Sequence, residues 1–283
     1  MAYIRDIWRF KETIEYEFKF VGRYGAKGEK RALKVKPTPE QVARQNQLNR
    51  EKKVRRLIKA NFSESDYWVT LKYPKGTRIP IEEVKADVAD FFRRLRRMYK
   101  KADEAVKFIY RIEIGSRGGA HVHAIINRPE RVASDLCIQQ AWTCGRVNFE
   151  HLHDAGGYAD LAAYIVKPPS PEAQRHIDEL PPEERKEVIK YSASRNLIRP
   201  EPERKEYSHS TMRRIVEEGP KASKGYYIDL DSVRTGINAF TGMSYLQYTE
   251  VKLEAPQRGR PPKDRSCTGA TKKTGERIIN GYV

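Results

Sequence analysis

Residues 107–127 constrain the fold more than any other stretch. Before Gly115, residues Phe108, Tyr110, Ile112 and Ile114 share one parity, while Lys107, Arg111 and Glu113 share the other. After the Gly115-Ser-Arg-Gly-Gly119 turn, His121 and His123 fall on one face and Val122, Ala124 and Ile126 on the other. Period-two alternation on both sides of a Gly-rich turn predicts a β-hairpin. Two histidines at i and i+2 then point the same way, and Glu113 on the adjacent strand can face them. Two imidazoles and a carboxylate at an open rim form a donor set for a divalent metal. A half-buried strand with two incidental histidines on its polar face shows the same His-x-His spacing.

The flanking segments fix what the hairpin joins. Residues 66–73 alternate as a strand and stop at Pro74-Lys-Gly76. From Pro80 to Lys101, Val84, Val88, Phe91, Phe92, Leu95 and Met98 recur at helical period. After the hairpin, 129–142 reads as a helix, 145–152 as a strand and 158–167 as a short helix ended by Pro168-Pro169. This βαββαβ order predicts an α+β fold with a ferredoxin-like antiparallel sheet and its helices on one side. Earlier, Ile14, Tyr16, Phe18 and Phe20 mark a strand, and 31–35 reads as a returning strand. Thr38-Pro39-Glu40 opens a basic helix running to about Ala60. That helix can dock Leu48, Val54, Leu57 and Ile58 on a core, with its Lys and Arg left in water, either as a solvated face or against a DNA backbone. Helical periodicity recurs at 171–180, 182–191 and 208–218, and 226–230 and 244–251 suit strands. From Glu254 the Pro-, Gly-, Lys- and Arg-rich composition predicts disorder.

Charge points to the partner. A net charge of +17 over 283 residues favours a polyanion, most simply nucleic acid. The three cysteines form no CxxC pair, which fits a reducing compartment and argues against a disulfide frame or zinc ribbon. No apolar run approaches the length of a membrane span, and the N-terminus lacks a signal-peptide core. No Gly-x-x-x-x-Gly-Lys-Ser/Thr loop is present, so a helicase of that type is not expected.

In the last helix of the βαββαβα run, Tyr164 and Lys167 stand at i and i+3 and share a face. A phenol is a weak nucleophile near neutrality because its pKa is about 10. A neighbouring cation favours its ionised form. Alone, Tyr-x-x-Lys also describes a core tyrosine and a surface lysine. In combination, Val69-Thr-Leu-Lys-Tyr-Pro74, His121-Val-His123 and Tyr164-Ile-Val-Lys167 resemble, in order and spacing, the three motifs of the single-tyrosine rolling-circle replication initiators (Rep) of the HUH endonuclease superfamily. Glu113 stands eight residues before His121, where many relatives carry a third metal ligand. The Asn61-Phe62 pair and residues 191–197 resemble flanks of initiators from plasmids, phages and integrative elements. Lys72 departs from the family pattern, which often has Thr there.

The resemblance implies the HUH fold and the nicking and rejoining of single-stranded origin DNA at a hairpin or repeat. It assigns the nucleophile to Tyr164, an assisting cation to Lys167, and the ligands of Mg²⁺ or Mn²⁺ to His121, His123 and Glu113. It also implies a host helicase and DNA polymerase as partners, and a bacterial cytoplasmic setting. The expected organisation is an N-terminal extension (1–60), an HUH nicking domain (61–170), an accessory region (171–253) and a basic tail (254–283). Arg93, Arg94, Arg96 and Arg97 could grip phosphates. Arg258-Gly-Arg260-Pro resembles an AT-hook, in which each Arg reaches into a narrow minor groove. Tyr158, six residues before Tyr164 with no Lys after it, reads as structural. His151 and His153 form a second His-x-His at a strand end. A relaxase, an HUH transposase, or a non-catalytic basic nucleic-acid-binding protein are the alternative readings.

Overall fold

The hairpin forms, and the chain around it builds one of two antiparallel five-stranded sheets. The computed structural model describes residues 3–21, 37–152, 157–207, 209–238 and 243–253. The proposed returning strand at 31–35, His153, the AT-hook-like segment and the rest of the tail lie outside them.

The first sheet has the order β6 (Arg146–His151), β3 (Tyr67–Lys72), β5 (Ala120–Ile126), β4 (Phe108–Ile114), β7 (Tyr191–Ala193). Its chain order is β3, α2 (Ile81–Lys100), β4, β5, α3 (Ser134–Ala141), β6, so the first and third strands of the βαββαβ unit lie at its centre. This is the ferredoxin-like α+β arrangement expected from the sequence. The apolar stripe of α2 explains how it sits. Val84, Val88, Phe91, Phe92 and Leu95 are buried against Leu71, Ile112, Val122 and Ile126, and Phe92 stacks on Phe108 at 3.7 Å between ring centroids. Each such side chain contributes about 1.5–3 kcal/mol by leaving water. Helix α3 begins at Ser134 rather than at Pro129, because Pro129 opens a turn closed by the Val132 amide.

The other face of this sheet carries two further helices. Val54, Leu57 and Ile58 of α1 (Pro39–Asn61) and Ala162, Ile165 and Val166 of α4 (Ala159–Val166) close over Ile109 and Ile125. Thr38 caps α1 through a capping box with Gln41. Leu48, expected to dock with its neighbours, is 43% exposed.

The second sheet, β8-β1-β2-β10-β9, joins the two ends of the chain. Strands β1 (Tyr3–Arg9) and β2 (Thr13–Phe20) pair with β8 (Glu203–Tyr207) and β10 (Ser244–Lys252), and β9 (Tyr226–Ile237) lies outermost. Helix α7 (His209–Glu218) packs Met212 onto it. Helices α5 (Pro171–Asp178) and α6 (Pro182–Ile189) instead contribute Ile177 and Val188 to the first core.

Helix α1 lies between the two sheets. The expectation that its cations remain in water is corrected here: Arg55, Arg56 and Lys59 all bond to Glu15 of β2, and Arg56 also reaches Glu17. The Glu15 side chain is 2% exposed. Burial alone would raise its carboxyl pKa, but the three cations outweigh that and hold it at about 2. Both faces of β2 are buried, so these acids must meet cations rather than solvent.

Candidate functional site

The site occupies the sheet face opposite α2 and α3. The strand register lays its residues in transverse rows. One row is Glu113, His121, Lys72, Arg146 across β4, β5, β3 and β6. The next is Arg111, His123, Thr70, Asn148, and the third is Ile109, Ile125, Trp68, Glu150. Side chains opposite one another in antiparallel strands share a face, so Glu113, His121 and His123 converge because the hairpin pairs them.

Glu113 is the hub. Its Oε2 lies 3.0 Å from His123 Nε2 and 3.6 Å from His121 Nε2, and its Oε1 accepts from Lys167 Nζ at 2.9 Å. The Tyr164 hydroxyl donates to Glu113 Oε2 at 3.0 Å and stands 3.1 Å from His123 Nε2. Burial would raise the Glu113 pKa, but bonds from His121, His123 and Lys167 hold it well below the ordinary carboxylate range. Burial pushes the His123 imidazole down toward its neutral form. Burial, and then the Glu113 charge, push the Tyr164 phenol up, while Lys167 opposes them. The Lys167 ammonium lies 3.7 Å from the centroid of the Tyr164 ring. Tyr164 and Lys167 thus meet the hairpin residues as the i, i+3 spacing requires.

These residues fit a divalent cation. One nitrogen from each His and one Glu113 oxygen lie within 4.8 Å of one another. Thr70 Oγ1 is 3.2 Å from His123 Nδ1. That contact leaves Nε2 toward the centre, the orientation a ligating histidine needs from its surroundings. Trp68 stacks on His123 at 5.3 Å with an interplanar angle of 9° and meets the edge of Tyr164 at 5.7 Å.

Several of these positions carry no motif signal. Arg111, only 2% exposed, lies under the end of α4. Its Nη1 donates to the carbonyls of Tyr164, Ile165 and Lys167 at 3.4, 3.2 and 2.7 Å, and Gln47 Nε2 takes the Val166 carbonyl at 2.9 Å. A helix leaves its last carbonyls without internal partners. Here the carbonyls of residues 164–167 are held by one strand side chain and one α1 side chain. Arg111 was legible only as a polar position on the hairpin, although its parity with Glu113 does put it on the site face.

The other candidates lie elsewhere. Arg93, Arg94, Arg96 and Arg97 are on α2, behind the opposite face of the sheet. Arg93 pairs with Asp90, Arg94 bonds to the Ala141 carbonyl and Thr143, and Arg96 lies over Phe108. His151 pairs across from Tyr67 and meets its ring at a tilt, 5.3 Å between centroids, away from the site. Tyr158 is 4% exposed in the α1–α4 core and starts α4 with φ at 60°. The flanks are structural too: Asn61 bonds to both backbone groups of Ile198, and β7 pairs with β4.

Residues 66–169 match the model of a family described as Replication-associated protein ORF2. That segment is similar to this replication-associated family, which is consistent with a rolling-circle replication initiator and with binding of origin DNA. Comparison with curated proteins and with solved structures finds no match. Among the described residues, no helix is long and apolar enough to cross a membrane.

Proposed function

We propose that this protein initiates rolling-circle replication by nicking and rejoining single-stranded origin DNA through a covalent 5′-phosphotyrosine at Tyr164. The reading rests above all on one convergence: the Tyr164 hydroxyl stands 3.0 Å from Glu113 Oε2 and 3.1 Å from His123 Nε2, inside the cluster that fits a metal.

The Tyr164 oxygen attacks phosphorus while the phenol's proton passes to solvent, which returns a proton to the departing 3′ oxygen. The bond from phosphorus to the 3′ oxygen breaks, leaving a 3′-hydroxyl to prime synthesis and the 5′ end esterified to the tyrosine. Attack by a 3′-hydroxyl reverses the step, and the stored ester makes ATP unnecessary. Lys167 favours the phenolate and offsets negative charge growing on the phosphoryl oxygens. Bound by Glu113, His121 and His123, Mg²⁺ or Mn²⁺ would polarise the scissile phosphate as a Lewis acid, and two imidazoles tilt the donor set toward Mn²⁺. Arg111 and Gln47 keep the end of α4, and with it Tyr164, in line with the hairpin. A host helicase and polymerase would extend the 3′ end, and the bacterial cytoplasm is the expected setting.

The test is incubation of the protein with single-stranded DNA spanning the origin and with Mn²⁺ or Mg²⁺, read as a protein band shifted by attached DNA. Wild type forms the adduct, and Tyr164→Phe lowers its yield about 10⁴-fold or more. Equal adduct from Tyr164→Phe removes Tyr164 as the nucleophile.

A further inference from the structure

We infer that Lys72 and Arg146 form a phosphate-binding subsite that leads the DNA strand from the metal cluster across the sheet to its β6 edge, an inference that rests on the nicking function proposed above. The register puts Lys72 directly opposite His121, and Arg146 directly opposite Lys72. Neighbouring strands lie about 4.8 Å apart, so the two cations stand one and two strand spacings from the cluster, on the same face.

Both side chains are exposed, and no ion pair engages either of them among the described residues. The site's other cations differ: Lys167 is bound to Glu113, and Arg111 to the end of α4. The next row ends in neutral Asn148 and the third in Glu150, whose charge repels a phosphate. Cationic character therefore runs outward along one row only. Backbone packing holds that row in place. A Cβ on Gly145 would overlap the Lys72 carbonyl oxygen, so glycine is what lets β6 enter beside the end of β3. The Trp142 indole also donates to the Lys72 carbonyl at 3.3 Å. Among the described residues no strand pairs with the far side of β6, giving the DNA strand a way out.

The chemistry recognised is a run of phosphodiesters flanking the scissile one, without base identity. The test has two arms. In the first, metal-free binding of the full chain to a mixed-sequence single-stranded oligonucleotide is followed across salt concentration. The slope of log affinity against log salt becomes shallower by about 0.7 in Lys72→Gln or Arg146→Gln and by about 1.4 in the double variant. In the second arm, origin oligonucleotides carry a neutral methylphosphonate at successive linkages beside the nick. One such linkage lowers adduct formation by wild type about tenfold and costs the double variant nothing further. An unchanged salt slope, or losses that multiply in the double variant, overturns the subsite and leaves nicking standing. Absence of any adduct from wild type overturns the nicking function and the subsite with it.

Discussion

Glu15 and Glu113 are both carboxylates drawn out of water and ringed by donors, yet they sit in opposite kinds of place. Glu15 lies between the two sheets against the side-chain cations of Arg55, Arg56 and Lys59, all bonded to it. Glu113 lies near a rim against two imidazoles, a phenol and a single ammonium. The first set can only neutralise. The second can release its protons, exchange partners and take up a cation. A depressed carboxylate pKa is common to both, so it does not mark a functional site by itself. What separates them is whether the surrounding groups can do something else.

The largest contrast comes from deleting each acid. Glu15→Ala takes the shared carboxylate from Arg55, Arg56 and Lys59, leaving Arg56 its bond to Glu17, and should cost about 3–5 kcal/mol, read by denaturant unfolding. Glu113→Ala should leave metal-free stability much closer to wild type. It should abolish the rise in Tm on adding Mn²⁺ and lower adduct yield about 10³-fold. Comparable losses of stability in the two variants would break the contrast.

Acid should weaken the Glu15 cluster as well. Its folded-state pKa, about 2, lies below the unfolded value of 4.5, so its contribution is present above pH 4.5 and is lost as pH falls through that value toward 2. The shift corresponds to about 3 kcal/mol. Glu15→Gln should flatten this acid limb in a series of unfolding curves.

Smaller effects sharpen the Glu113 side. Arg111→Lys replaces the planar Nη1 that reaches three carbonyls with a tetrahedral ammonium on a shorter stem, and should lower kcat for adduct formation about 10²-fold with little change in KM, because Tyr164 is displaced while DNA contacts remain. Thr70→Val removes the contact to His123 Nδ1 and should weaken Mn²⁺ binding about tenfold, measured by calorimetry.

Much of the Glu113 side was legible in the sequence, and little of the Glu15 side was. The hairpin, α2 and β3 announce themselves by strict periodicity, and pairing within a short hairpin is fixed by its turn. That is why Glu113, His121 and His123 could be brought together on paper. The i, i+3 relation of Tyr164 and Lys167 is equally local. The second sheet pairs residues 3–20 with residues 203–252, and no local pattern records a partner two hundred positions away. Strand β8, Glu-Arg-Lys-Glu-Tyr, is an exposed edge with no apolar alternation, and β7 is three residues long. The cations of α1 read as solvated because their acids lie on β2, some forty residues earlier. Arg111 stayed hidden for the same reason: its partners are backbone carbonyls of α4, and carbonyls have no sequence signature.

The most direct measurement is peptide mapping of the DNA-linked protein by mass spectrometry. The account predicts a single modified peptide, with the nucleotide on Tyr164. A nucleotide on buried Tyr158 or on any other residue, or cleavage with no covalent peptide at all, would contradict it.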